Sequence, residues 1–174
     1  MKSLVKQSQL YFIFSFVLLM ILGTLVLKMP FCYRGEGSLA WSDAAFMATS
    51  ASCITGLTSV PISQFTLAGQ LIILFLVQIG GIGIMGLTAS IVLFLGRGMS
   101  LDNTMIMSNL NDKFSLRNTE SMLKMIISYV FNIELIGAIL LIGAFMLENR
   151  FGFWECIYYG VFHSIAGFCN AGFS

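Results

Sequence analysis

Two stretches of this chain have the residue types and spacing needed to hold a bare cation with main-chain oxygens. Phe46 is followed after nine residues by Gly56, the large apolar Leu57 and the hydroxyl of Thr58. Phe162 is followed after nine residues by Gly172, Phe173 and Ser174, so one register superposes the two stretches. Neither Ala44–Pro61 nor Cys156–Ser174 contains a Lys, Arg, Asp or Glu. Chemistry without charged side chains falls to the backbone. Carbonyls turned to a common axis can replace an ion's hydration shell, and glycine permits backbone angles that a β-carbon resists. A short helix ahead of each loop would aim the negative end of its dipole at the same point.

Other chemistry has less support. The sequence has no P-loop, no HExxH, no nucleophile elbow and one histidine, so neither an enzyme nor a covalently bound cofactor is expected. Cys32, Cys53, Cys156 and Cys169 show no metal-ligand spacing and no CxxC. Cys53 and Cys169 sit among small and apolar residues and read as packing residues. Cys32 and Cys156 fall on one aqueous side, where a disulfide stays open. Glu134 stands alone in an apolar run and is expected to pair with another helix, with Asn132 as a nearby polar partner, rather than to touch an ion. His163 reads as packed and hydrogen-bonded rather than as a pH sensor. Gly80, Gly83 and Gly86, extended by Ala89, recur every three residues; close helix packing is the favoured reading and a gating hinge the alternative.

The elements that must position these loops follow from composition. Of the 174 residues, 57% are hydrophobic and 10% charged, against about 25% charged in soluble domains, which points to lipid as the solvent. With a net charge of +1, nucleic acid is not an expected partner. No charged residue lies between Lys6 and Lys28, between Asp43 and Arg97, or after Glu155. A crossing takes about 20 apolar residues. The first gap predicts a spanning helix over 10–29, stopped by Pro30 and too long, without a small-x-small site, for a signal peptide. The second gap is too long for one crossing. It reads as a short helix over 42–52, a break over 53–58 rich in β-branched residues and glycine, and a spanning helix over 66–96. The polar linker 97–121, including the methionine-containing stretch 99–111, precedes a further spanning helix over 122–147. A second short helix over 154–166 and a second loop over 169–174 complete the pattern. The expected fold class is thus an all-α integral membrane protein of potassium-channel-like units, each a spanning helix, a re-entrant pore helix, a filter loop and a spanning helix. Residues 1–96 form the first unit and 122–174 an incomplete second, about one and a half in all. Lys2, Lys6, Arg97, Lys113, Arg117 and Lys124 hold six of the nine basic charges. The N-terminus and linker are therefore expected in the cytoplasm of a multi-pass cell-membrane protein, with both short helices entering from outside.

The residues resemble a known family. Ala48-Thr-Ser-Ala-Ser-Cys-Ile-Thr-Gly-Leu-Thr is similar to the first filter of the Trk/Ktr/HKT potassium transporters. Phe162-His-Ser-Ile-Ala-Gly-Phe-Cys-Asn-Ala-Gly-Phe-Ser is similar to their second filter. Gln78-Ile-Gly-Gly-Ile-Gly-Ile-Met and Glu134-Leu-Ile-Gly-Ala resemble signatures of the intervening helices. The resemblance implies passage of potassium, or sodium, through a pore of four linked, non-identical repeats. It implies that backbone carbonyls of Cys53, Ile54, Thr55 and Gly56 form one quarter of the filter, and those of Cys169, Asn170, Ala171 and Gly172 another. It also implies a cytosolic nucleotide-binding regulatory subunit, docking in part on the linker, and a homodimer of complete pores. Gly56 resembles the potassium-preferring members, whereas serine there accompanies sodium passage. The chain ends inside the second filter and is expected to supply about half of the pore, the other repeats coming from a longer protein or another chain. A non-transporting truncated or assembly-partner protein, and a sodium-permeable member, stay open as alternatives.

Overall fold

The computed structural model describes residues 2–35, 37–96, 113–148 and 151–173, and their regular structure is helical apart from one isolated antiparallel bridge between Tyr33 and Phe65. In chain order the elements are α1 (Lys2–Leu27), a 3-10 turn (Pro30–Cys32), α2 (Trp41–Ser52), a second 3-10 turn (Ile62–Gln64), α3 (Leu67–Gly96), α4 (Lys113–Glu148) and α5 (Phe153–Phe168). Helices lie where the sequence predicts them among the described residues, with shifted ends. α1 starts near Lys2 rather than at 10, because Lys, Gln and Leu are good helix formers with or without lipid. It stops at Leu27 because Pro30 drives Met29 into an extended conformation (φ −66°, ψ 142°). α4 starts at Lys113, inside the segment expected to be linker up to 121. Hydropathy marks where an apolar stretch starts, whereas a helix continues through polar residues that form helix equally well. The rest of that linker, 97–112, and Ser174 of the second loop lie outside the described residues.

Among the described residues two helices are long and apolar enough to cross a membrane, over Leu67–Gly86 and Leu123–Glu148. The apolar part of α1, Phe12–Leu27, is shorter. Outward faces stay apolar: Leu135, Ile136, Ile139 and Leu140 on α4 are each at least 60% exposed. Water would oppose such a surface, and lipid or further protein would cover it.

The core lies around the short helix α2. Ala44, Met47, Ala48 and Ala51 are fully buried against Leu27 of α1 and Ile73, Leu76 and Val77 of α3. Small side chains let these backbones approach. A β-carbon on Gly23 of α1 would sit 2.8 Å from Leu76 and 3.2 Å from Ala48, so three helices converge there. The glycine series of α3 packs in the same way. Gly80 faces the main chain of Ser52, Gly83 the ring of Phe16 on α1, and Gly86 the side chain of Leu123 on α4. A three-residue step falls short of a 3.6-residue turn, so the stripe winds round the helix and meets a different neighbour at each glycine.

Hydrogen bonds clamp the chain on either side of α2. Arg34 N–H donates to Gln64 O (2.8 Å), Thr66 N–H to Cys32 O (3.0 Å) and Thr66 Oγ1 to Phe31 O (2.6 Å). Cys32 and Cys156 are both free and buried, so the disulfide left open above is not formed. Each thiol instead donates to a main-chain oxygen, of Val26 and of Phe151 respectively. Burial pushes the Cys32 thiol up from its ordinary value.

Candidate functional site

Both short helices begin alike, with an acidic residue at the third helical position: Asp43 in α2 and Glu155 in α5. A carboxylate there favours the positive end of the helix dipole. Glu155 also accepts a hydrogen bond from Gly152 N–H (3.0 Å), which closes the first turn of α5.

They end alike in more detail. Cys53 N–H donates to Thr49 O, Ile54 N–H to Ala51 O and Thr55 N–H to Ser50 O, at 2.9, 3.2 and 3.0 Å. Cys169 N–H donates to Ile165 O, Asn170 N–H to Gly167 O and Ala171 N–H to Ala166 O, at 3.0, 3.1 and 2.8 Å. These three bonds are one set shifted by the register that superposes Phe46 on Phe162. Each set closes the helix as a Schellman motif, whose first residue beyond the cap takes a left-handed φ. Ile54 (φ 58°) and Asn170 (φ 55°) occupy that position. Two residues later Gly56 (φ 72°) and Gly172 (φ 62°) are left-handed again. The sign of φ thus alternates through 53–56 and again through 169–172.

The two loops adjoin. A β-carbon on Gly56 would run into the Ala171 carbonyl oxygen and lie 2.9 Å from the Gly172 α-carbon. The two loops thus meet main chain to main chain at Gly56, Ala171 and Gly172. In the first loop the Ser50 and Thr55 hydroxyls bond each other at 2.9 Å. The flanks differ despite the shared spacing. Phe162 and Phe173 are buried in the core, whereas Phe46 is 44% and Leu57 63% exposed.

The single polar residues find partners. Glu134 on α4 is buried and accepts a hydrogen bond from Gln78 Nε2 of α3 at 2.9 Å, so it pairs with another helix as expected. Asn132 is not that partner, because its amide turns back one helical turn to Ser128 O (2.6 Å). Ser164 Oγ of α5 donates to the main-chain oxygen of Glu134 at 2.6 Å. His163 lies with Nδ1 2.9 Å from Tyr159 O and its ring against Phe145 and Phe162, the packed arrangement expected of it.

Gln70 is a site residue that sequence reasoning missed. Its Nε2 donates to Ile62 O (3.1 Å) and Phe65 O (3.0 Å), and its Oε1 accepts from Tyr158 OH of α5. The segment following the first loop is thereby tied to the second short helix. Between them lies a cavity of about 410 Å³, bordered by Thr58, Ser63, Tyr158 and His163. One glutamine near the start of a helix carries no sequence signal for such a role.

Two apolar helices of spanning length, in an otherwise all-helical arrangement among the described residues, are what a membrane protein presents. The chain belongs to the TrkH cation transport protein family, which matches residues 12–174. It is 34% identical over 161 residues to the Ktr system potassium uptake protein B of Bacillus subtilis, covering 92% of this chain and 35% of that protein. It is 32% identical over 163 residues to the potassium/sodium uptake protein NtpJ of Enterococcus hirae, covering 91% of this chain and 35% of that protein. To the Ktr system potassium uptake protein B of Vibrio alginolyticus it is 34% identical over 162 residues, covering 92% and 34%. The chain thus spans about a third of the length of the curated relatives it matches.

Proposed function

We propose that the chain is part of a pore for potassium uptake across the cell membrane. Residues 53–56 and 169–172 serve as two quarters of its filter, and the remaining quarters come from further repeats. The observation that carries this reading is the duplicated backbone: two Schellman-closed short helices, each followed by alternating φ signs, with Gly56 packed directly on Ala171 and Gly172. Alternation of that kind turns successive carbonyls toward one side, where they can stand in for the water around an alkali cation. α2 and α5 then act as re-entrant pore helices whose C-terminal ends contribute partial negative charge. Irregular backbone at membrane depth is tolerated where it lines such a passage.

The same reading puts the N-terminus and the 97–121 segment in the cytoplasm, where a nucleotide-binding regulatory subunit would dock, and pairs complete pores as a homodimer. A sodium-permeable pore is a second reading, favoured by the relative named as a potassium/sodium uptake protein. The test is growth rescue of potassium-uptake-deficient cells by the complete gene, with and without Gly56→Ser. A side chain at φ 72° and against the Ala171 carbonyl costs about 1–3 kcal/mol. The variant is therefore expected to lose roughly tenfold in potassium uptake or in preference over sodium. Protein present in the membrane without rescue would sink the transport reading. Rescue with an unchanged rate and preference in Gly56→Ser would sink the filter assignment alone.

A further inference from the structure

We infer that Glu134 is a resident proton site: a neutral carboxylic acid, closed into a two-hydrogen-bond ring with the Gln78 carboxamide, that locks the second repeat onto the first. Glu134 lies within the Leu123–Glu148 span and is 5% exposed. One edge of the ring is present, with Gln78 Nε2 donating to Glu134 Oε2 at 2.9 Å. Among the described residues three buried side-chain oxygens have no partner; Ser52 Oγ lies at the end of α2, and the other two, Gln78 Oε1 and Glu134 Oε1, belong to this pair.

An amide oxygen only accepts, and so does an ionised carboxylate. The facing edge of an ionised pair would hold two acceptors and no donor. A proton on Glu134 Oε1 converts that edge into an O–H donating to Gln78 Oε1, and both orphaned oxygens are satisfied at once. Carboxyl and carboxamide are planar forks of the same width, so the first bond sets up the second when they are coplanar. The alternative, an ionised carboxylate at membrane depth with one hydrogen bond, is costly. The surroundings offer no relief. α3 presents the uncharged Gln78, while on α5 Ser164 is committed to the main-chain oxygen of Glu134 and His163 is turned to Tyr159 O. The Cys169 thiol, which follows α5, lies against α3 at Gly81 and carries no charge while protonated.

The pair is placed to matter. α3 closes the first repeat, α4 opens the second, and through Ser164 the same residue holds α5, which ends in the second loop. Gly81, on α3 near Gln78, faces the Cys169 sulfur at the start of that loop. Glu134 is thus a positioning residue for the second loop.

The experiment uses the complete protein in membranes. Infrared difference spectra at neutral pH compare wild type with Glu134→Gln; a protonated-carboxyl carbonyl band is expected in the wild type and missing from the variant. Glutamine rebuilds the ring as an amide–amide pair, so Glu134→Gln should transport within about twofold of wild type, whereas Glu134→Leu and Gln78→Leu, which strand a buried polar partner, should lose about tenfold or more. Lack of the band, or a Glu134→Gln variant as impaired as Glu134→Leu, would show that the carboxylate is ionised and used as a charge, and would overturn the inference. The infrared arm stands even if the proposed transport fails, and it does not depend on the leucine variants folding.

Discussion

Ile54 and Gly80 show how much is decided at single backbone positions. A β-branched residue at φ 58° pays a steric cost that Asn170, at the matching position, largely avoids. The duplicated Schellman bonds hold Ile54 there, since releasing it would free two N–H groups at the end of α2. Gly80 works through closeness instead, because a β-carbon there would strike the Ser52 carbonyl oxygen and lie 2.9 Å from its carbon. Main chain cannot step aside as a flexible side chain can. Gly80→Ala is therefore expected to destabilise by about 1–3 kcal/mol. Gly143→Ala, with open space around it, should be neutral or stabilising by up to about 1 kcal/mol through helix propensity alone. Thermal unfolding of the complete protein in detergent reads the difference. Equal midpoints for the two variants would refute the close approach of α3 to α2.

At the scale of elements, the short helices are held by neighbours rather than by their own length. α2 has 12 residues, too few for a stable isolated helix, and its burial between α1 and α3 supplies what propensity does not. The segment after its loop depends on polar ties, of which Gln70 makes three. Replacing it with leucine should loosen residues 57–66. We expect hydrogen exchange there to quicken severalfold in Gln70→Leu and less in Tyr158→Phe, which removes one tie of the three. Unchanged exchange in both would mean that the flanking main-chain bonds suffice. The glycine series of α3 also belongs at this scale, because its members meet α2, α1 and α4 in turn, the contacts that close helix packing requires.

Across the whole molecule, the outward faces of α1 and α4 stay apolar, a surface that lipid or further protein would cover. Orientation is the property most in need of a measurement. With the N-terminus inside, a cysteine introduced at Ser38 should react with a membrane-impermeant maleimide from outside intact cells, and one at Ser3 only after permeabilisation. The reverse pattern would overturn the inside-positive assignment.

Among the described residues, the placing of the helices, the two breaks and the shared register of the loops were legible in the sequence. They rest on hydropathy, glycine and proline placement and residue type, which act over a few neighbours. Boundaries were less so, as α4 shows by starting at Lys113. The partnerships came only with the tertiary structure. Glu134 chose Gln78, 56 positions away, over the nearby Asn132, and Gln70 met Tyr158 across 88 positions. Ile54 took a left-handed backbone that its side chain alone would have argued against. Contacts between distant segments depend on how helices pack, and packing is set by all of their surfaces together. Local pattern says that a loop must turn; only the assembled helices decide which backbone it turns against.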